Sequence, residues 1–185
     1  MALTSSKMLP LGTVAPDFEL LDAVSGKRLA LKNLRSSIAT VIMFICNHCP
    51  YVKHVQQELV RLARDYQPKW IAFIAISSND ISQHPEDAPD KMAKVAQRWD
   101  YPFPYLYDES QAIAEVYQAA CTPDFYIFDQ ALRCVYRGQL DDARPGNAIK
   151  PNGQDIRAAL DNLLRGKPIN PIQKPSIGCN IKWKE

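Results

Sequence analysis

Apolar positions along the chain follow two periods. Residues 38–45 are nearly continuous apolar sequence, rich in β-branched side chains and interrupted only by Thr40. Such a run predicts a central strand covered on both faces. The spacing then changes at Cys46-Asn47-His48-Cys49. Val52, Val55, Leu59, Leu62 and Tyr66 recur at three and four residues, while Lys53, Gln57, Arg61, Arg64 and Asp65 occupy the opposite positions. That is an amphipathic helix. Pro50 falls in its first turn, where a missing N–H costs nothing, and His54 falls on its solvated side. Residues 70–76, Trp-Ile-Ala-Phe-Ile-Ala-Ile, predict a second buried strand.

The flanking segments are weaker but readable. Residues 17–21 and 27–31 alternate apolar and polar positions around Val24-Ser25-Gly26, an N-terminal β-hairpin. Met92, Val95, Ala96 and Trp99 predict a second helix, residues 104–108 a short strand, and Ile113, Val116, Tyr117 and Ala120 a third helix. Residues 125–128 and 134–137 form a second hairpin about Asp129-Gln130-Ala131, and Ile156, Ala159, Leu160, Leu163 and Leu164 a last helix stopped at Gly166. Residues 1–15 carry little pattern and read as an extended lead-in. Residues 77–89, polar and holding two prolines, read as an exposed connection, and His84 within it has no partner motif. The expected organisation is one domain over residues 1–166 and a tail, 167–185, packed on it through apolar residues such as Ile177, Ile181 and Trp183.

Composition changes this picture little. The 185 residues are 46% hydrophobic and 23% charged with a formal net charge of +2, ordinary for one globular domain. Acidic and basic residues are interspersed, which argues against a nucleic-acid partner. The longest apolar run is too short to span a bilayer, so no membrane partner is expected. The N-terminus shows no basic segment followed by an apolar stretch, and the expectation is a cytoplasmic protein. Five cysteines, of which two have motif spacing, fit a catalytic dithiol better than a disulfide scaffold.

The candidate chemistry lies where the strand pattern gives way to the helix pattern. Cys46 and Cys49 have the spacing of a dithiol that closes a short disulfide ring. The helix dipole and its unsatisfied N–H groups favour a thiolate there. Two other readings remain. A zinc site needs two further ligands, and His48, His54, Cys121, Cys134 and Cys179 lack ligand spacing. Inert core cysteines are the other. His48, beside both thiols, stabilises a thiolate if protonated, or is a surface histidine without effect. Cys179 either exchanges with the pair or is a thiol without a redox role.

The order strand, CxxC, helix, strand, helix, Pro-led strand, strand, helix resembles the thioredoxin fold, an α/β structure with a central mixed β-sheet flanked by helices. Gly12-Thr13-Val14-Ala15-Pro16-Asp17-Phe18 and Phe103-Pro104-Tyr105-Leu106-Tyr107-Asp108 resemble its peroxiredoxin-like branch, the alkyl hydroperoxide reductase and thiol-specific antioxidant family. The resemblance implies a thiol–disulfide oxidoreductase with Cys46 as nucleophile, Cys49 as resolving thiol and no bound cofactor or metal. A thiol peroxidase and a zinc-bearing or redox-sensing module are the rivals. It implies that Pro123 is cis, faces the motif and, with Thr122, binds an extended substrate. The implied partners are a protein disulfide, small thiol or peroxide, and a reductant such as a thioredoxin or glutathione system. A histidine before the second cysteine also occurs in strongly oxidising relatives of thioredoxin. On this reading Cys46 is exposed and more acidic, and Cys49 lies one turn into the helix with a higher pKa.

Two departures stand out. Peroxiredoxins carry Pro-x-x-x-Thr-x-x-Cys at the peroxide-reacting cysteine. Those positions hold Ala39 and Met43 ahead of Cys46, and Ile42 and Cys46 ahead of Cys49. Thioredoxins carry a buried Asp in the strand before the motif, and residues 38–45 contain no carboxylate.

Overall fold

The computed structural model describes residues 3–185. In chain order the elements are β1 (Leu3–Ser5), β2 (Glu19–Asp22), β3 (Arg28–Ala30), α1 (Leu31–Leu34), β4 (Ala39–Phe44), α2 (Pro50–Tyr66), β5 (Ile71–Ser77), α3 (Pro89–Trp99), β6 (Tyr105–Tyr107), α4 (Ala112–Val116), β7 (Cys121–Thr122), β8 (Asp124–Asp129), β9 (Cys134–Gly138), α5 (Gln154–Leu164) and β10 (Ile177–Asn180). The main sheet runs β3-β2-β6-β5-β4-β8-β9. It is mixed: β4 lies parallel to β5 and antiparallel to β8.

Every residue of β4 is buried, which explains its unbroken apolar sequence. Successive side chains alternate between the faces. Val41 and Met43 join Val52, Val55, Leu59 and Leu62 of α2, Met92 of α3 and Ile156 and Leu160 of α5 in one core. Ile42 and Phe44 join Leu9, Phe18, Tyr117 and Phe128 in the other. The helices on the first face are tied by Glu58 of α2, buried to 2% side-chain exposure, which takes Arg61 and Arg157 at 2.6 and 2.8 Å.

Both expected hairpins are present, β2 with β3 and β8 with β9. Four expectations need correction. Trp70 is 71% exposed; it ends a 3-10 turn in the left-handed region, and β5 starts one residue later. Leu31 begins α1 instead of ending a strand. The third helix stops at Val116, not Ala120, and Gln118 beyond it has a positive φ. The N-terminal lead-in contains a strand: β1 pairs with β10, which pairs with β7, giving a second, three-stranded sheet of order β1-β10-β7. A three-residue strand with no fully buried side chain has too few positions to show a period. Met1 and Ala2 lie outside the described residues. Among the described residues no helix is long and apolar enough to cross a membrane.

Candidate active site

The carboxyl end of β4 delivers Cys46, and Cys49 is the N-cap of α2. Cys49 is thus at the mouth of the helix and not one turn inside it, and Cys46 precedes the helix by a full turn. Both thiols are buried, at 2% and 0% exposure, so the expected exposure of Cys46 is not found. No disulfide joins the cysteines among the described residues.

Thr122 faces both thiols. Its Oγ1 lies 3.4 Å from Cys46 Sγ, and its carbonyl oxygen accepts from Cys49 Sγ at 3.2 Å. The Thr122–Pro123 bond is cis, as the resemblance implies. The backbone edge of Thr122 is already taken: Cys179 of β10 lies opposite it in the antiparallel register.

His48 and Asn47 are held by a carboxylate that the sequence did not reveal. Asp87, fully buried, accepts the N–H of Asn47 at 2.7 Å and that of His48 at 3.2 Å through Oδ1. Its Oδ2 meets His48 Nδ1 at 2.6 Å and accepts from Asn79 Nδ2 at 2.8 Å. Asn47 is fixed further by donating to the Glu86 carbonyl at 2.8 Å and accepting from Tyr105 at 3.1 Å. Residues 77–89 are therefore not simply an exposed connection. Residues 77–80 are buried, and Pro85–Asp87 form a 3-10 turn that presents Asp87 to the motif. Proline, taken in the sequence as a mark of exposure, here sets the turn. His84, which had no assigned role, stacks on His48 at 4.7 Å between ring centroids. His54 is half-buried.

The electrostatics reverse the expected order of acidity. Cys49 is lowered to about 5, chiefly by the hydrogen bond from the Cys46 thiol, against the cost of burial, with help from Cys179, the Val52 amide and Thr122. Cys46 is pushed well up, because its proton is the one donated to Cys49, because it is buried, and because Asp87 is close. Of the two coupled thiols, Cys49 at the helix N-terminus is therefore the one favoured to lose its proton first. Asp87 raises His48, mainly through their hydrogen bond. Burial acts to raise Asp87, but His48 and Asn79 outweigh it and hold the carboxyl below the usual range.

Cys46 Sγ, His48 Nδ1 and Asp87 Oδ2 all lie within 4.8 Å of one another, as do donors of His48, His84 and Glu86. The first group is three donors that already satisfy each other by hydrogen bonds, one short of a tetrahedral set.

A second buried carboxyl follows the cis bond. Asp124 accepts from Ser6 Oγ at 2.7 Å, Tyr126 OH at 3.0 Å and its neighbour's N–H at 3.1 Å. Burial raises it to about 7. A carboxyl raised above its unfolded value of about 3.9 gives stability that is complete below that value and lost as pH rises through about 7. Asp124→Asn, uncharged throughout, escapes this loss. Relative to wild type it gains on the order of 2–3 kcal/mol between pH 5 and pH 8. Urea midpoints of both proteins at the two pH values test this, and a difference that does not change with pH refutes it.

Residues 11–137 match the AhpC/TSA family. The chain belongs to the AhpC/TSA family. Among solved structures, this AhpC/TSA chain is similar to an uncharacterized conserved protein of Geobacillus kaustophilus, at 62% identity and a TM-score of 0.98 over 100% of this chain and 97% of that one. A hypothetical protein of Sinorhizobium meliloti follows at 45% identity and 0.95, over 98% of each. The thioredoxin domain of a thiol-disulfide oxidoreductase from Bacteroides vulgatus shares the fold, at 15% identity and 0.61, over 72% of this chain and 91% of that one. No curated protein matches the chain. The fold of this AhpC/TSA protein is thioredoxin-like, and its family is one of thiol-based redox enzymes.

Proposed function

We propose that this protein is a thiol–disulfide oxidoreductase that cycles Cys46 and Cys49 between dithiol and disulfide. The observation that carries the reading is the pair of motif thiols at the junction of β4 and α2, both facing Thr122 beside its cis bond to Pro123. Two thiols three residues apart at a helix N-terminus supply an attacking and a resolving sulfur in one place.

Cys46, which follows β4 ahead of the helix, attacks a sulfur of the substrate disulfide as its proton passes to Cys49. One substrate sulfur becomes bonded to Cys46, and the other leaves as a thiolate. That thiolate takes the proton from Cys49, and the Cys49 thiolate then attacks Cys46 Sγ. The Cys46–Cys49 bond forms, the second substrate sulfur leaves with the electron pair, and solvent protonates it. His48, charged through Asp87, stabilises the developing negative charge beside Cys46. Thr122 and Pro123 form the opposite wall. A thioredoxin or glutathione system returns the pair to the dithiol, and the reducing cytoplasm is the compartment that suits it. The reaction uses no bound cofactor.

Insulin reduction and hydrogen peroxide consumption, measured on the same preparation, test the assignment. Turnover of insulin with dithiothreitol and background consumption of peroxide are expected. Rapid peroxide consumption with insulin untouched makes the protein a thiol peroxidase, and silence in both assays makes it a sensor.

A further inference from the structure

Cys49 has a sulfur neighbour on each side. Cys46 reaches it through the motif; Cys179 reaches it through the fold, with Sγ to Sγ at 2.8 Å. The position of Cys179 is fixed from both edges of β10. Thr122 lies opposite it on β7 and Leu3 opposite it on β1. Gly178 makes the approach possible, since a Cβ there would stand 2.0 Å from the Thr122 carbonyl oxygen. Ser176 Oγ donates to the Pro123 carbonyl at 2.6 Å, and the Ile181 N–H donates to Ala120 at 3.1 Å. The strand is thus tied on either side of the cysteine, and Cys179 is 4% exposed.

We propose that Cys179 is a third redox-active cysteine, which takes over the disulfide from Cys46 by bonding to Cys49. This rests on the dithiol cycle proposed above. In the oxidised protein the Cys179 thiolate attacks Cys49 Sγ. The Cys49–Cys179 bond forms as the Cys46–Cys49 bond breaks, and the electron pair leaves with Cys46. The proton released by Cys179 ends on Cys46. One disulfide and one thiol stand on each side of the step, so no outside oxidant is required. The two sulfurs need only a small approach to the bond length of about 2.05 Å.

The charges favour the step once the motif is oxidised. In the dithiol form burial and the Cys49 thiolate push Cys179 up to about 12, while Lys182 draws it down. A Cys49 held in a disulfide carries no charge, so Cys179 ionises more readily at that stage. The outcome is a reduced Cys46, free to meet a second substrate while the first oxidising equivalent is stored between α2 and β10. The backbone edge of Thr122 then serves an internal partner, a strand carrying its own cysteine.

Disulfide mapping tests the proposal. Wild type and Cys46→Ser are oxidised with oxidised glutathione, quenched in acid, alkylated and digested without reductant. The expected product of Cys46→Ser is a Cys49–Cys179 link in most of the oxidised protein, formed through a glutathione adduct on Cys49. Wild type is expected to hold the same link in at least one-tenth of the oxidised molecules, beside the Cys46–Cys49 ring. Only glutathione adducts in Cys46→Ser, or only the Cys46–Cys49 ring in wild type, overturns the relay. The wild-type arm stands even if the variant fails to fold. Insulin turnover by wild type reads the dithiol cycle separately. A protein that reduces insulin and never forms the link refutes the relay alone, and one that forms the link without reducing insulin refutes the oxidoreductase reading alone.

Discussion

Cys46→Ser lowers insulin turnover sharply, leaving only the slower exchange through Cys49 and Cys179, and Cys49→Ser halts the protein as a covalent adduct through Cys46. The two substitutions also separate in their titration. Wild type shows one thiolate appearing near pH 5, the value to which Cys49 is lowered. Cys49→Ser loses that step altogether, because burial and Asp87 still disfavour a thiolate on Cys46. Cys46→Ala, unlike Cys46→Ser with its hydroxyl, removes the main donor to Cys49, so in it the step moves up from about 5 toward the ordinary thiol value of about 8.5. Absorbance at 240 nm and iodoacetamide rates against pH read these changes. An acidic step that survives in Cys49→Ser puts the charge on Cys46 and reverses the proton path.

The second large effect is expected at Asp87. Asp87→Asn leaves donors from Asn47, His48 and Asn79 facing an amide that cannot accept them all. Removing one partner of a buried ion pair costs about 3–5 kcal/mol. The cost depends on pH in a defined direction. His48 is raised in the fold, so its share is complete below its unfolded value of about 6.5 and is lost as pH rises through the raised value. Asp87 is lowered, so its share is complete above about 3.9 and is lost below. The penalty of Asp87→Asn is therefore largest between about pH 4 and 6.5 and smaller at pH 9. Chemical denaturation at pH 6 and pH 9 gives the comparison. An equal penalty at both values excludes the ion pair as its origin.

How legible this was depends on the range of each interaction. The strands and helices of the main sheet follow from periodicity because one buried face repeats over many residues: β4 and α2 were readable to within a residue or two. Trp70 lies outside the strand that its pattern predicts, because an aromatic residue at the edge of an apolar run looks the same in sequence whether it enters the strand or caps the turn before it. The two motif cysteines announce themselves by spacing. Asp87 does not, since it meets the motif 40 residues away through a loop whose composition says only that it is polar. In sequence the acidity of the thiols rests on helix position, the neighbouring His48 and the exposure expected where the strand ends, which take no account of the burial of Cys46 or of the Asp87 carboxylate beside it. Cys179 was visible as a residue, but its contact with Cys49 spans 130 positions and depends on a strand pairing.

The segment between β5 and α3 has the composition in which insertions are ordinarily tolerated, polar and rich in proline. Its attachments say otherwise. Asn79 holds Asp87 with one side-chain atom and the Lys182 N–H with the other, Asp80 N–H donates to the Lys182 carbonyl, and Asp87 holds the motif. The segment works as a ruler: the number of residues from Asn79 to Asp87 sets where the carboxylate meets Asn47 and His48. Substitutions at its exposed positions, such as Gln83 and Glu86, leave that distance unchanged. A single residue added or removed would carry Asp87 out of register and free the motif and the C-terminal strand together, so sequence drift in this loop is constrained in length far more than in letters.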